Sequence, residues 1–200
     1  GAEAKYHLLA FATIRPFKKA KFFCRTPETR AAFCREMQPL VSCELEPVES
    51  AKEAIHGADA ILTATNSNVP VFDGSWLEAG MHVTSIVGGN VGLVNAGLIK
   101  ERRREIDDTT VRRANVIVAN SREQAIQDQQ GDFYEPVEKG ILHWDQVGDL
   151  SDLLSARIPG RTAPDQITLF KNNAGRGVAD IAIASRIFEL ARAKGIGIEF

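Results

Sequence analysis

The residues with chemistry to offer lie in short clusters. Gly1-Ala2-Glu3-Ala4 opens the chain with small residues at a helix start. A glycine there lets backbone N–H groups approach a phosphate, which a helix N-terminus favours. The same four residues equally suit a helix that simply begins with small side chains. Cys24-Arg25-Thr26 sets a thiol, a permanent cation and a hydroxyl side by side. Thr63, Thr65 and Asn66 stand at the end of one apolar run, Gly88-Gly89-Asn90 follows a second, and Lys171, Asn172 and Asn173 follow a third. The histidines are scattered and none is expected to catalyse. His7 lies on the first helix, His56 at a helix end where its charge is favoured, His82 at a strand start, and His143 before Trp144. Cys24, Cys34 and Cys43 are odd in number and lack C-x-x-C spacing. Reduced thiols are therefore expected, with neither a disulfide framework nor a metal site.

These clusters need elements to position them. A helix is expected over Gly1 to Thr13, then a strand at Lys21 to Cys24. Thr26-Pro27-Glu28 starts a helix running to about Met37, with Thr26 as cap and Pro27 at the first helical position. Strands are expected at Cys43 to Glu46, Ala60 to Ala64, His82 to Val87, Val116 to Ala119 and Ile167 to Phe170. Ser50 to Glu53 fits a capping box, Asp107 and Asp108 open a short helix, and Ser121 caps another. Val178 to Ala193 is the last and longest helix, ended by Gly195. Apolar strands alternating with helices specify an α/β fold, a doubly wound, mostly parallel sheet.

The chain has 200 residues, 24 basic and 26 acidic, for a net charge of −2. That balance gives no reason to expect nucleic acid or membrane as partner. Lys100-Glu101-Arg102-Arg103-Arg104 reads as a solvated surface run. No apolar stretch is long enough to span a bilayer, and no secretory leader opens the chain. A cytoplasmic location is expected.

Several motifs in order resemble the ornithine cyclodeaminase/mu-crystallin family. Gly1-Ala2-Glu3-Ala4-Lys5-Tyr6-His7-Leu8 resembles a Gly-x-Gly-x-Gln-Ala run leading into an Arg/Lys-x-His-Leu helix, and Arg15-Pro16-Phe17 the Arg-Pro-Ile beyond it. Ala58 to Thr65, Val71 to Leu77, and Asn120-Ser121-Arg122-Glu123-Gln124-Ala125 resemble further family segments. Pro159-Gly160-Arg161-Thr162 followed by Ile167-Thr168-Leu169-Phe170-Lys171 resembles its Gly-Arg-Thr…Thr-Leu-Phe-Lys signature.

The resemblance implies a Rossmann-type fold lacking its first strand. Residues 1–175 would form the dinucleotide-binding domain, incomplete at its N-terminus. Residues 176–200 would be a C-terminal helix packing toward a missing substrate domain. It implies hydride transfer between a nicotinamide and an amino acid or cyclic imine in an intact homodimeric parent, and a nearly inactive fragment. Gly1, Ala2, Glu3 and Ala4 would cradle the pyrophosphate, with Glu3 at the Gln position. Arg25 and Thr26 would read a 2′-phosphate, favouring NADP over NAD, since Cys24 replaces the carboxylate that would bind a ribose hydroxyl. Thr63, Thr65, Asn66, Gly88, Lys171 and Asn172 would line the rest of the cofactor site. Asn172 replaces the family's Ser, and Asp180 matches a later Asp. Asn90 stands where cyclodeaminases carry a catalytic Asp. A carboxamide has no proton to gain or lose at neutral pH, so a reductase or dehydrogenase is expected. The alternatives are a cyclodeaminase-type lyase and a non-catalytic binding protein.

Overall fold

The computed structural model describes residues 1–172 and 177–198, apart from the side chain of Val178. Helix α1 (Ala2–Ile14) starts at Gly1 and stops at Arg15, whose extended backbone leads into Pro16. Strand β1 (Lys19–Phe22) pairs in parallel with β2 (Glu44–Pro47), with α2 (Pro27–Met37) between them. Thr26 occupies the N-cap position of α2 with extended backbone, but its hydroxyl makes no capping bond. Ser50 does cap α3 (Ala51–Ile55), accepting the Glu53 N–H.

The remaining strands are β3 (Ala60–Thr63), β4 (His82–Ser85), β5 (Val116–Ala119), β6 (Val147–Asp149) and β7 (Thr168–Lys171). They form one sheet in the order β3-β4-β7-β5-β6, every neighbouring pair parallel. The last strand inserts between β4 and β5, so the three central segments expected to share a sheet do so. The short helices α4 (Val91–Asn95), α5 (Asp108–Arg113), α6 (Arg122–Gln127), α7 (Gly131–Glu138) and α8 (Leu150–Leu154) lie in the connections. Helix α9 (Gly177–Ala193) follows β7.

The main core forms where Ile61, Val83, Leu169, Ile117 and Val147 of the strands meet Ile55, Leu77, Val111 and Phe133 from the covering elements. A second cluster under α2 gathers Phe33, Cys34, Met37, Cys43 and Leu45, with Phe22 stacked on Phe33 at 3.8 Å between centroids. Among the described residues, β1 and β3 each lack a strand partner on one side. Lys21 of β1 reaches the helix before β3, donating to the carbonyls of Glu53 and His56 at 3.2 and 2.7 Å.

Besides the unbonded Thr26 cap, the segment around α7 and the basic run needs separate explanation. Helix α7 carries Gly131 at its start and Pro136 inside, residues that locally argue against a helix. Pro136 is buried there, and the segment Arg102–Arg104 runs so close to Gly131 that a Cβ would collide with it. The basic run is correspondingly not a solvated face. Arg102 stacks on Tyr134 and donates to Gln129 and Glu138, while the buried Arg104 pairs with Asp108 and Glu135.

Candidate functional site

Because the main sheet is all parallel, β3, β4, β5 and β7 end at one edge, with Thr63, Ser85, Ala119 and Lys171 as their last residues. Open α/β sheets bind ligands at this carboxyl edge. Here it rests on a buried polar network. Lys171 is fully buried and donates to Ser85 Oγ (3.2 Å), the Val87 carbonyl (2.7 Å) and Asp132 Oδ2 (2.8 Å). An ammonium has three protons, and all are engaged. What Lys171 gives a ligand is therefore the position of the strand end, not a free charge. Asp132, also fully buried, accepts further bonds from Ser85 Oγ and the N–H groups of Glu105 and Ile106. Burial alone would raise its carboxyl pKa. The Lys171 ammonium and these donors outweigh that and hold it below the usual carboxylate range.

Glu105 is the second hub. Its buried carboxylate accepts from Thr63 Oγ1 and the N–H groups of Thr65, Ile86 and Val87, while Ser85 Oγ, whose one proton goes to Asp132, lies 3.2 Å away. One side chain thus fixes the ends of both β3 and β4. Thr63 is committed to this hub, whereas Thr65 keeps an exposed side chain whose Oγ1 accepts the Ser67 N–H, and Asn66 is exposed. Gly88 lies partly buried beyond β4.

Helix α1 comes to the same edge. His7 Nδ1 lies 2.8 Å from the Glu3 carbonyl and must carry the proton there, so Nε2 accepts from Asn172 Nδ2 at 3.1 Å. Asn172 Oδ1 in turn accepts from Asn120 Nδ2 at 3.1 Å. This chain of bonds links the first helix to the ends of β7 and β5. Gly1, Ala2 and Glu3 are exposed at the start of α1 and Ala4 is half-buried. Glu3 adds a negative charge where an anion would approach.

At the end of β1, Arg25 and Thr26 are exposed. Nearby, the buried Arg30 donates to the Cys24 carbonyl and pairs with Glu49 at 2.5 Å, so it supports the loop. Asn90 is 6% exposed and both ends of its carboxamide are bonded within the chain. His56 is exposed beside Glu78, His143 precedes a short 3-10 helix, and Asp180 is exposed on α9. His82 bridges Thr168 and Thr84 at the start of β4, away from the carboxyl edge. Asn173 lies outside the described residues. Among those described, no group of three His, Cys, Asp or Glu side chains is placed to hold a metal ion, and no helix is long and apolar enough to cross a membrane.

The edge therefore joins the clusters at 1–4, 63–66, 88–90 and 171–172 on a common scaffold. Sequence reasoning missed Glu105, Asp132, Ser85 and the His7–Asn172 contact. Glu105 sits at the end of a basic run and Asp132 beside a glycine, with no local signal of burial. The His7 position was legible only as part of a motif.

The family model for the ornithine cyclodeaminase/mu-crystallin family matches residues 1–195. Delta(1)-pyrroline-2-carboxylate reductase of Bacillus cereus is 30% identical over the whole chain, which spans 58% of that relative. Mouse ketimine reductase mu-crystallin is 26% identical over 94% of the chain and 52% of its own length. The solved structure of Thermococcus litoralis Delta(1)-pyrroline-2-carboxylate reductase with NADH and L-proline superposes over 100% of the chain and 58% of its own, at TM-score 0.89 and 28% identity.

Proposed function

The chain belongs to the ornithine cyclodeaminase/mu-crystallin family, and from that premise we propose that it is the nucleotide-binding portion of an NAD(P)H-dependent imine reductase. The substrate class is a cyclic α-imino acid, reduced to the corresponding amino acid. Within this reading, residues 1–175 carry the dinucleotide, and α9 packs against the substrate-binding part of a dimeric full-length protein.

The observation that carries the reading is Asn90. The family's cyclodeaminases use an acid at this position to move protons during deamination. Here a carboxamide stands there, its oxygen and nitrogen already bonded to the Arg103 N–H and the Glu101 carbonyl. Hydride transfer asks for no proton from this position.

The residues present fit a dinucleotide. Gly1 and Ala2 carry the smallest side chains at the N-terminus of α1, where helix N–H groups would meet a pyrophosphate. Arg25 and the Thr26 hydroxyl would hold a 2′-phosphate, and no carboxylate at position 24 competes for a ribose hydroxyl. NADPH is therefore the proposed reductant. When bound, the nicotinamide supplies a hydride to the imine carbon. The chain's own part is positioning: Glu105 and the Lys171–Asp132 pair hold the strand ends, and Asn172, oriented by His7 and Asn120, would contact a bound nicotinamide.

A paired assay on the full-length protein tests this. With NADPH and a five- or six-membered cyclic α-imino acid, the cofactor should be consumed and amino acid formed in equal amounts. Ammonia release from ornithine without net cofactor change would instead establish the lyase.

A further inference from the structure

Between β4 and the Glu105 hub the chain makes an excursion, Val91–Lys100, whose two feet meet at one side chain. Asn90 Nδ2 donates to the Glu101 carbonyl at 3.1 Å, and Asn90 Oδ1 accepts the Arg103 N–H at 2.9 Å. Its backbone carbonyl also accepts from Leu93 and Val94 at 2.9 and 3.2 Å, starting α4. The surroundings are tight. A Cβ on Gly89 would lie 2.9 Å from the Asp128 carbonyl, and Arg102 and Arg104 tie the returning foot to Gln129, Glu135 and Glu138. The excursion itself is mostly exposed, including Leu93 and Leu98.

We propose that Asn90 is a positioning residue, a clasp that fixes the Val91–Lys100 excursion beside the carboxyl edge of the sheet and that only a group with one donor and one acceptor can close. A carboxylate accepts but does not donate. Aspartate at this position would meet the Glu101 carbonyl acceptor to acceptor and leave a charge nine-tenths buried. Alanine would abandon both partners. A protonated aspartic acid, with one O–H and one C=O in nearly the same shape, would close the clasp again. The functional half of the inference, that the clasped excursion walls the substrate site, rests on the reductase reading.

The test is hydrogen exchange of the peptide covering the excursion, in the full-length protein, corrected for the intrinsic pH dependence of exchange. Wild type, Asn90→Ala and Asn90→Asp are compared at about pH 8 and about pH 5. Glu101, Arg102, Arg103, Glu105 and Asp128 are charged groups around the clasp, and wild type at both pH values controls for any change that does not involve position 90. Asn90→Ala should exchange roughly tenfold or more faster at both. Asn90→Asp should do so only at the higher pH and regain protection at the lower. Unchanged peptides elsewhere in the same run establish that the fold persists, and low-pH recovery of Asn90→Asp distinguishes a clasp from general damage. Wild-type protection in Asn90→Ala, or no recovery in Asn90→Asp, overturns the proposal. In an active protein, Asn90→Ala should raise KM for the imine more than it lowers kcat. Absence of any imine turnover by wild type would remove the reductase reading and leave the exchange result to decide the clasp.

Discussion

Arg25 and Glu3, both exposed, are the residues proposed to meet the charges of a dinucleotide, and they carry opposite signs. Arg25 has no acidic partner among the described residues. A charge-assisted contact contributes about 1.5–3 kcal/mol, so Arg25→Ala should weaken NADPH roughly tenfold or more relative to NADH in fluorescence titrations. Equal loss for both cofactors would remove Arg25 from phosphate recognition. Glu3 sets a negative charge in the first turn of α1, which in the proposed site would oppose a bound pyrophosphate. Glu3→Gln should tighten either dinucleotide by a few fold, most visibly at low ionic strength, and weaker binding would contradict that placement. Both assignments are proposals that rest on a family motif and fold position. Glu105 and Asp132 were not legible in the sequence at all. A buried carboxylate is defined by donors far along the chain: Thr63 and Thr65 for the first, Ser85 and Lys171 for the second. No local pattern announces such partners.

The elements were read more completely, and their errors have physical causes. Strand β1 ends at Phe22, because pairing follows the register Lys19↔Glu44 to Phe22↔Pro47, and Cys24 has already turned toward α2. Helix α7 was hidden by Gly131 and Pro136, whose roles emerge only from packing. The join between α7 and β7 gives a stability prediction. Asp132→Asn would leave the Lys171 ammonium buried without its counter-charge and should cost about 3–5 kcal/mol in denaturant unfolding. Adding Lys171→Met should recover part of that loss, and additive losses would contradict the pairing. His82 sets the pH dependence at the opposite end of the sheet. Burial, and then Arg161, hold its pKa below the ordinary 6.5. As pH falls below about 6.5 the unfolded chain takes up the proton first, so stability should decline from there down to the folded-state value. Above 6.5 this contribution is fully present. His82→Gln should flatten that part of the stability profile, and an unchanged profile would assign the slope elsewhere. Asp132 acts lower. Its stabilisation is present above the ordinary carboxylate value of 3.8 and is lost as pH falls through its depressed one.

At the scale of the molecule, the described residues leave strand edges and an apolar helix face uncovered. β1, β2, β3 and β6 each pair on one side only, and α9 exposes Ile181, Ile187 and Phe188. Such surfaces template association. The isolated 200-residue chain should therefore grow in mass with concentration in light scattering, and a monodisperse monomer would contradict this. The chain's span of 58% of its reductase relatives makes the full-length protein the object for the central test. That test is isotope transfer: NADPH carrying deuterium at both C4 positions of the nicotinamide is incubated with a cyclic α-imino acid, and in parallel with ornithine, and the products are analysed by mass spectrometry. Reduction predicts one deuterium on the α-carbon of the amino acid formed, with one deuterium left on the oxidised cofactor. Amino acid formed without deuterium, or ammonia released from ornithine with both deuteriums retained by the cofactor, would contradict it.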